Sequence, residues 1–356
     1  MERYISVDSG KFATKLGVYN PQKEDTKTFQ FCTKIGDGSF EDDSLERNTM
    51  IVEIDGNTYK IGNGATTQAE LETSKQSEIH KICTLTAIAM CTSKDEVDDV
   101  HIAIGIPVKE WEVVQKRNEY KAYMLPEGEI TVLIKTKAEE EPVKKTFRIV
   151  SRYAFPESMG ALYLDRMAEY SDSTVAVIDI GNLNVNGTVW NSLEIDKDYS
   201  LTDELGGNIL INGLSQELSA EFGRCDEKYV TKVLMQPIED RKLKPNRPNP
   251  DVEKRSKEMI DKYLIEHVKL IRRRCDAKHW SLDFMKLMFI GGTSRLLKNE
   301  IIQVFGDEVY IPERAEYANV IGFLRLLCAK TLNIVIPLPD TKKETEKDAK
   351  KVEKSA

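Results

Sequence analysis

One strand–turn–strand pattern occurs twice in this chain. The first copy, at residues 8–19, reads DSGKFATKLGVY, and the second, at residues 179–190, reads DIGNLNVNGTVW. Each copy follows a short apolar strand, has Asp-x-Gly at the turn and ends on valine and an aromatic residue. The two aspartates, at positions 8 and 179 of 356, lie 171 residues apart. Because a chain of this length exceeds one ordinary hydrophobic core, the repeat predicts two related α/β domains.

Both turns contain the residue types that bind a nucleotide phosphate. A glycine in a tight turn lets backbone amides point at an anion. Asp8 and Asp179 stand at strand ends, where a carboxylate can hold Mg²⁺ through ordered waters. Lys15 projects from the first hairpin and can neutralise charge on a transferring phosphate. The alternative is a pair of ordinary hairpin turns, in which Asp and Gly are common; the coincidence of two copies favours phosphate binding.

Composition limits the class of protein. Hydrophobic residues make up 40% and charged residues 31% of the chain, which is typical of a soluble globular protein. No apolar run is long enough for a membrane span, and the N-terminus lacks the apolar core of a signal peptide. The net charge of −8 argues against direct nucleic-acid binding. The sequence therefore predicts a cytoplasmic protein without membrane contact.

Several local predictions follow from periodicity and turn residues. Residues 130–135 and 145–150 are predicted to form a surface hairpin, and residues 158–170 a helix. The basic, proline-rich segment 241–250 is predicted to be an exposed loop. Residues 339–356 are almost all charged or small, which predicts a disordered tail.

Three further motifs accompany the two hairpins. They read FPESMGALY at residues 155–163, FIGGTSRLL at 289–297 and ANVIGFL at 318–324. In this order, the five elements resemble the actin, sugar-kinase and heat-shock-chaperone ATPase superfamily, as its phosphate hairpins, connecting helices and adenosine motif. The resemblance covers residues 8 to about 330.

The resemblance implies an actin-like fold, with two duplicated ribonuclease-H-like α/β domains flanking a nucleotide cleft. Domain I would comprise residues 1–160 and about 318–338, and domain II residues 161–317. Within the superfamily, IGIPV at residues 104–108, PES at 156–158 and LGGN at 205–208 are similar to motifs of ParM-like bacterial actins, the filament-forming proteins of plasmid segregation.

The resemblance also implies roles for individual residues. Asp8 and Asp179 would organise hydrated Mg²⁺, Lys15 would contact the β- and γ-phosphates, and Glu157 would orient or polarise the attacking water. Glycines would line the nucleoside and phosphates where a Cβ would collide with the ligand. The implied nucleotide-binding residues are Ser9, Gly10, Lys11, Lys15, Gly181, Asn182, Leu183, Asn184, Gly206, Gly207, Asn208, Gly291, Gly292 and Thr293.

Some of these roles have structural alternatives. A carboxylate such as that of Glu157 at a helix N-terminus can accept hydrogen bonds from water, but it can also simply cap the helix. Ser9 can bind phosphate through its hydroxyl or stabilise the turn. Asn182 and Asn184 stand where many relatives have Gly or Thr, and asparagine can still donate hydrogen bonds to phosphate oxygens.

The resemblance thus implies a bacterial, actin-like nucleoside triphosphatase that uses Mg²⁺ with ATP or GTP and assembles into filaments. Its subunits would join head to tail through unlike surfaces. Segregation of plasmid or phage DNA would require a DNA-binding adaptor protein. The rival interpretations are a small-molecule kinase of the same superfamily and a non-polymerising ATP-binding scaffold.

Overall fold

The computed structural model describes residues 1–42, 44–70 and 74–339. The chain divides into two compact units, one formed by Met1–Asp165 with the segment from Asn319 onward, the other by Arg166–Ala318. Both units are mixed α/β, as the sequence predicts. Apart from Pro339, the predicted tail lies outside the described residues. Within the described ranges, no helix has the length and apolar character needed to cross a bilayer.

The first unit is built on a ten-stranded sheet with the strand order β3-β2-β1-β8-β10-β9-β5-β6-β4-β7. The strands are β1 (Glu2–Ser9), β2 (Ala13–Asn20), β3 (Asp25–Cys32), β4 (Lys34–Asp37), β5 (Thr49–Ile54), β6 (Asn57–Gly62), β7 (Thr67–Gln68), β8 (Val97–Ile106), β9 (Glu129–Lys135) and β10 (Val143–Pro156). The helices are α1 (Glu78–Cys91), α2 (Val108–Trp111), α3 (Val114–Met124) and α4 (Met159–Leu162).

The central strands of this sheet are buried on both faces. Along β1, Ile5 and Val7 belong to the core that includes α1, whereas Tyr4 belongs to a second cluster on the opposite face. This alternation follows from the two-residue period of a strand. β1 and β8 are parallel, as are β8 and β10, so their carboxyl ends lie at one edge of the sheet.

The second unit has a four-stranded sheet in the order β13-β12-β11-β14. Its strands are β11 (Thr174–Ile180), β12 (Val185–Asn191), β13 (Glu194–Asp203) and β14 (Lys286–Ile290). Its helices are α5 (Met167–Tyr170), α6 (Gly207–Phe222), α7 (Glu227–Leu234), α8 (Pro250–Ala277), α9 (Gly292–Leu296) and α10 (Lys298–Phe305). Leu210, Leu214 and Leu218 recur every four residues, so α6 buries one face in the core of this unit.

A last helix, α11 (Ala318–Thr331), packs on the sheet of the first unit from Asn319 onward. The Ser6 hydroxyl donates to the Val320 carbonyl at 2.7 Å. α11 also touches the segment of α4 backbone to backbone, because a Cβ added to Gly322 would lie 1.8 Å from the carbonyl oxygen of Gly160. The two predicted connectors are therefore in contact, and glycine is required at their crossing.

One local prediction was wrong, and two were confirmed in part. Residues 158–170 form two single turns, α4 and α5, separated by residues 163–166, and not one helix. Ser158, with a φ of 72° and its amide donating to Asn319 Oδ1 at 3.0 Å, precedes the first turn. The predicted hairpin is confirmed, because β9 and β10 pair antiparallel. Its placement at the surface is not, since β10 runs on to Pro156 beside β8 within the sheet. The predicted exposed loop is confirmed for residues 244–250, which are all exposed. At its start, however, Arg241 is buried and forms an ion pair with Glu300 at 3.3 Å.

Candidate functional site

The two hairpins have the same register, position for position. Asp8 opposes Lys15 across β1 and β2, and Asp179 opposes Asn186 across β11 and β12. The turn bond is also repeated: the Gly10 amide donates to the Ala13 carbonyl at 3.1 Å, and the matching amide of the second hairpin, 171 residues on, donates to the matching carbonyl at 2.9 Å. The repeat in the sequence is therefore a repeat in backbone conformation.

In the first unit, the carboxyl ends of β1, β8 and β10 bring two predicted residues to one edge. Asp8 lies beside Gly105, because a Cβ added to Gly105 would be 3.3 Å from Asp8 Oδ1. Glu157 follows β10, and its amide donates to the Ile106 carbonyl at 2.9 Å. The ends of parallel strands are a common place for ligand sites in α/β sheets.

Lys75, which belongs to none of the sequence motifs, lies between Ser9 and Glu157. Lys75 Nζ is 2.9 Å from Glu157 Oε1 and donates to the Ser9 carbonyl at 2.8 Å. Burial opposes the charge on this ammonium, but the Glu157 and Asp8 carboxylates outweigh that effect and hold the pKa of Lys75 above its usual value. Lys75 is therefore a charged group at the centre of this cluster.

The contact with Lys75 bears on the alternative role of Glu157. The N-cap residue of α4 is Ser158, and no side-chain capping hydrogen bond is present there. α4 itself has only four residues. The Glu157 carboxylate thus pairs with a buried lysine, and helix capping does not explain its presence.

Ser9 is buried and its hydroxyl faces the hairpin interior. Ser9 Oγ lies 3.2 Å from Thr14 Oγ1, which in turn lies 2.9 Å from Thr33 Oγ1. The Thr33 hydroxyl donates to the Gly10 carbonyl at 2.5 Å. This chain of hydroxyls favours the turn-stabilising alternative for Ser9. Lys11 and Lys15 are half-buried on the same hairpin.

In the second unit, three predicted segments pack directly on one another. The Gly207 amide donates to the Gly181 carbonyl at 3.0 Å, and the Asn208 amide donates to the Asn182 carbonyl at 2.8 Å. The Thr293 hydroxyl donates to the same Gly181 carbonyl at 2.9 Å. The hairpin, the start of α6 and the turn after β14 thus form one cluster, which also contains Asp179.

At three of four positions, the glycines in this cluster are required by the packing of the protein itself, whether or not they also line a ligand. A Cβ on Gly206 would lie 2.4 Å from the Leu183 carbonyl carbon, one on Gly207 2.6 Å from Thr293 Oγ1, and one on Gly291 2.4 Å from Asp179 Oδ1. These glycines permit close packing of the protein itself. Only Gly292 is open, with its nearest atom 4.0 Å away in Glu316.

The carboxylates suit a hard cation that keeps its water. Asp8 and Asp179 stand at strand ends, where their carboxylate oxygens could serve as ligands, and each packs closely on a glycine, Gly105 or Gly291. Among the described residues, no group of three or more His, Cys, Asp or Glu side chains lies together. A metal held by either aspartate would therefore take further ligands from water or phosphate, which is the usual behaviour of Mg²⁺.

Comparisons with known proteins support an actin-like fold. The family model for the N-terminal domain of actin-like proteins matches residues 6–160. No curated protein sequence matches the chain at a significant level.

Solved structures match most of the chain. An Alp12 filament structure is 24% identical, with a TM-score of 0.69 over 92% of this chain and 99% of that one. The apo psk41 ParM protein is 13% identical, with a TM-score of 0.70 over 93% and 98%. The archaeal actin homologue Ta0583 in complex with ADP is 17% identical, with a TM-score of 0.66 over 90% and 97%. Residues 6–160 thus match the N-terminal domain of actin-like proteins, and the chain as a whole has the fold of these actin-like structures.

Proposed function

We propose that this chain is a nucleoside triphosphatase that binds Mg²⁺ with ATP or GTP and assembles into filaments. The observation that carries the proposal is the shared register of two hairpins, each with a strand-end carboxylate and a glycine turn. Each unit supplies one such hairpin. That both serve one nucleotide stays a prediction from the sequence.

The residues of the first unit suit phosphoryl transfer to water. Lys15 would neutralise phosphate charge, and Glu157 would accept a hydrogen bond from the attacking water. Phosphoryl transfer requires little beyond positioning and charge neutralisation. Asp8 and Asp179 would hold Mg²⁺ through water, and the ion when bound would offset charge on the phosphate oxygens.

Self-assembly is proposed from the structural likeness. One similar structure is described as a filament and another as a complex with ADP. By analogy, we propose a cytoplasmic bacterial filament that moves plasmid or phage DNA through a DNA-binding adaptor.

The test is light scattering after addition of Mg-ATP or Mg-GTP, with phosphate release followed in parallel over a series of protein concentrations. The proposal predicts a scattering increase above a threshold concentration, accompanied by phosphate release. Release without scattering at any concentration would favour a small-molecule kinase with a slow side reaction. Binding with neither signal would favour an ATP-binding scaffold, and either result would overturn the filament proposal.

A further inference from the structure

The ammonium of Lys75 joins two parts of the first unit that are far apart in sequence. Ser9 ends β1, next to the phosphate hairpin, and Glu157 follows β10. Lys75 contacts both, at 2.8 Å and 2.9 Å. Its side chain is 14% exposed and that of Glu157 18%. The ion pair is therefore largely removed from water, where geometry matters more than at the surface.

This contact has consequences for a carboxylate that must orient water. A glutamate has three rotatable side-chain bonds, and a fixed ion pair removes most of that freedom. Lys75 engages Oε1, which leaves Oε2 as the oxygen for a water molecule. We propose that Lys75 is a positioning residue, which fixes the Glu157 carboxylate against the first hairpin so that Oε2 faces the attacking water. The proposal rests on the proposed hydrolysis.

A second buried lysine provides a comparison within the same unit. Lys135 is 7% exposed, and its Nζ donates to the carbonyls of Phe40 and Asp42 at 2.7 Å and 3.4 Å. Both of these partners are backbone oxygens. Lys135 thus resembles Lys75 in its low exposure and in donating to a backbone carbonyl, but its bonding partners do not include Glu157.

The test is a double-mutant cycle with Lys75→Met, Glu157→Gln and both together, measured as phosphate release at saturating Mg-nucleotide. Each single change should slow release at least about tenfold. A fluorescent nucleotide analogue should bind each variant within about twofold of the wild-type affinity, because the contact acts on the transition state. The double variant should be no slower than Glu157→Gln alone, since Lys75 acts through Glu157.

Lys135→Met is the matched control, and Glu157→Gln should slow release by the same factor in this background as in the wild type. If the effects of Lys75→Met and Glu157→Gln multiply instead, Lys75 does not act through Glu157 and the proposal fails. It also fails if Lys75→Met weakens nucleotide binding at an unchanged rate of release, which would make Lys75 a phosphate ligand. Lys75→Gln replaces Lys75→Met if the latter does not fold.

Thermal unfolding of the same variants without nucleotide separates this inference from the proposed function. The ion pair predicts that the two losses in Tm are less than additive, whereas additive losses would show that Lys75 does not hold Glu157. If the wild-type protein releases no phosphate, the proposed hydrolysis is wrong. The double-mutant cycle measured by thermal unfolding would still show whether Lys75 and Glu157 interact.

Discussion

The residues around the first hairpin include a histidine that is kept neutral. His80 lies in α1 and is fully buried, with Nδ1 2.9 Å from Ser77 Oγ. Burial, together with the positive charges of Lys75 and Lys11, lowers the pKa of His80 to about 3. A buried imidazole beside two ammonium groups costs stability whenever it is protonated.

This histidine predicts an acid-sensitive fold. Because its pKa is lower in the folded chain than in the unfolded chain, the unfolded chain binds the proton more readily below about pH 6.5. The contribution of the neutral His80 to the free energy of unfolding is fully present above that pH and is lost as the pH falls toward 3. At pH 5 the loss should be about 2 kcal/mol.

Urea unfolding at pH 7 and pH 5 measures this loss. His80→Asn should lose about 2 kcal/mol less than the wild type between the two pH values. The exposed His279→Asn is the control and should respond like the wild type. An equal pH response of His80→Asn and the wild type would contradict the prediction.

Among the elements, the cluster of the second hairpin, the start of α6 and the turn after β14 depends on backbone contact. Its close approach requires the absence of side chains at Gly206 and Gly291, the latter with a φ of 91°. Packing within the cluster therefore fixes the position of Asp179 without a ligand.

Two adjacent glycines in this cluster test that interpretation. Gly291→Ala places a Cβ 2.4 Å from both Asp179 Oδ1 and the Ile180 carbonyl oxygen, at a positive φ. We expect it to reduce the free energy of unfolding by about 2–4 kcal/mol. Gly292→Ala, which points into open space, should change it by less than about 1 kcal/mol. Denaturant unfolding of both variants measures the difference, and similar losses would argue against packing as the reason for Gly291.

The sequence predicts the hairpins well because strand apolarity and turn residues are local signals. It does not identify Lys75, which contacts Ser9 from 66 residues away and belongs to no motif. The amide of Ser158, just before α4, donates to Asn319, 161 residues distant. Such contacts exist only once the chain is folded, so neither periodicity nor spacing can reveal them.

For the whole molecule, the net charge of −8 opposes association of like subunits, and cations of any kind will screen it. A filament dependent on Mg-nucleotide must therefore be distinguished from one promoted by ionic strength. The aspartates at the two strand ends predict a specific requirement for Mg²⁺.

Removal of Mg²⁺ with EDTA should abolish the nucleotide-dependent scattering, and excess MgCl₂ should restore it. NaCl at matched ionic strength is the control and should not restore scattering, because monovalent salt screens charge without bridging carboxylate and phosphate. Scattering that persists in EDTA, or that returns with NaCl, would show that assembly does not use the proposed metal.

Because the two hairpins have the same register, they can be compared position by position within one molecule. Because the backbone conformation is matched at these positions, a difference in residue type between the two copies does not arise from the turn. Lys15 and Asn186 occupy equivalent places and differ in charge. The double variant Lys15→Asn, Asn186→Lys has the same composition as the wild type. It differs only in which hairpin carries the positively charged side chain.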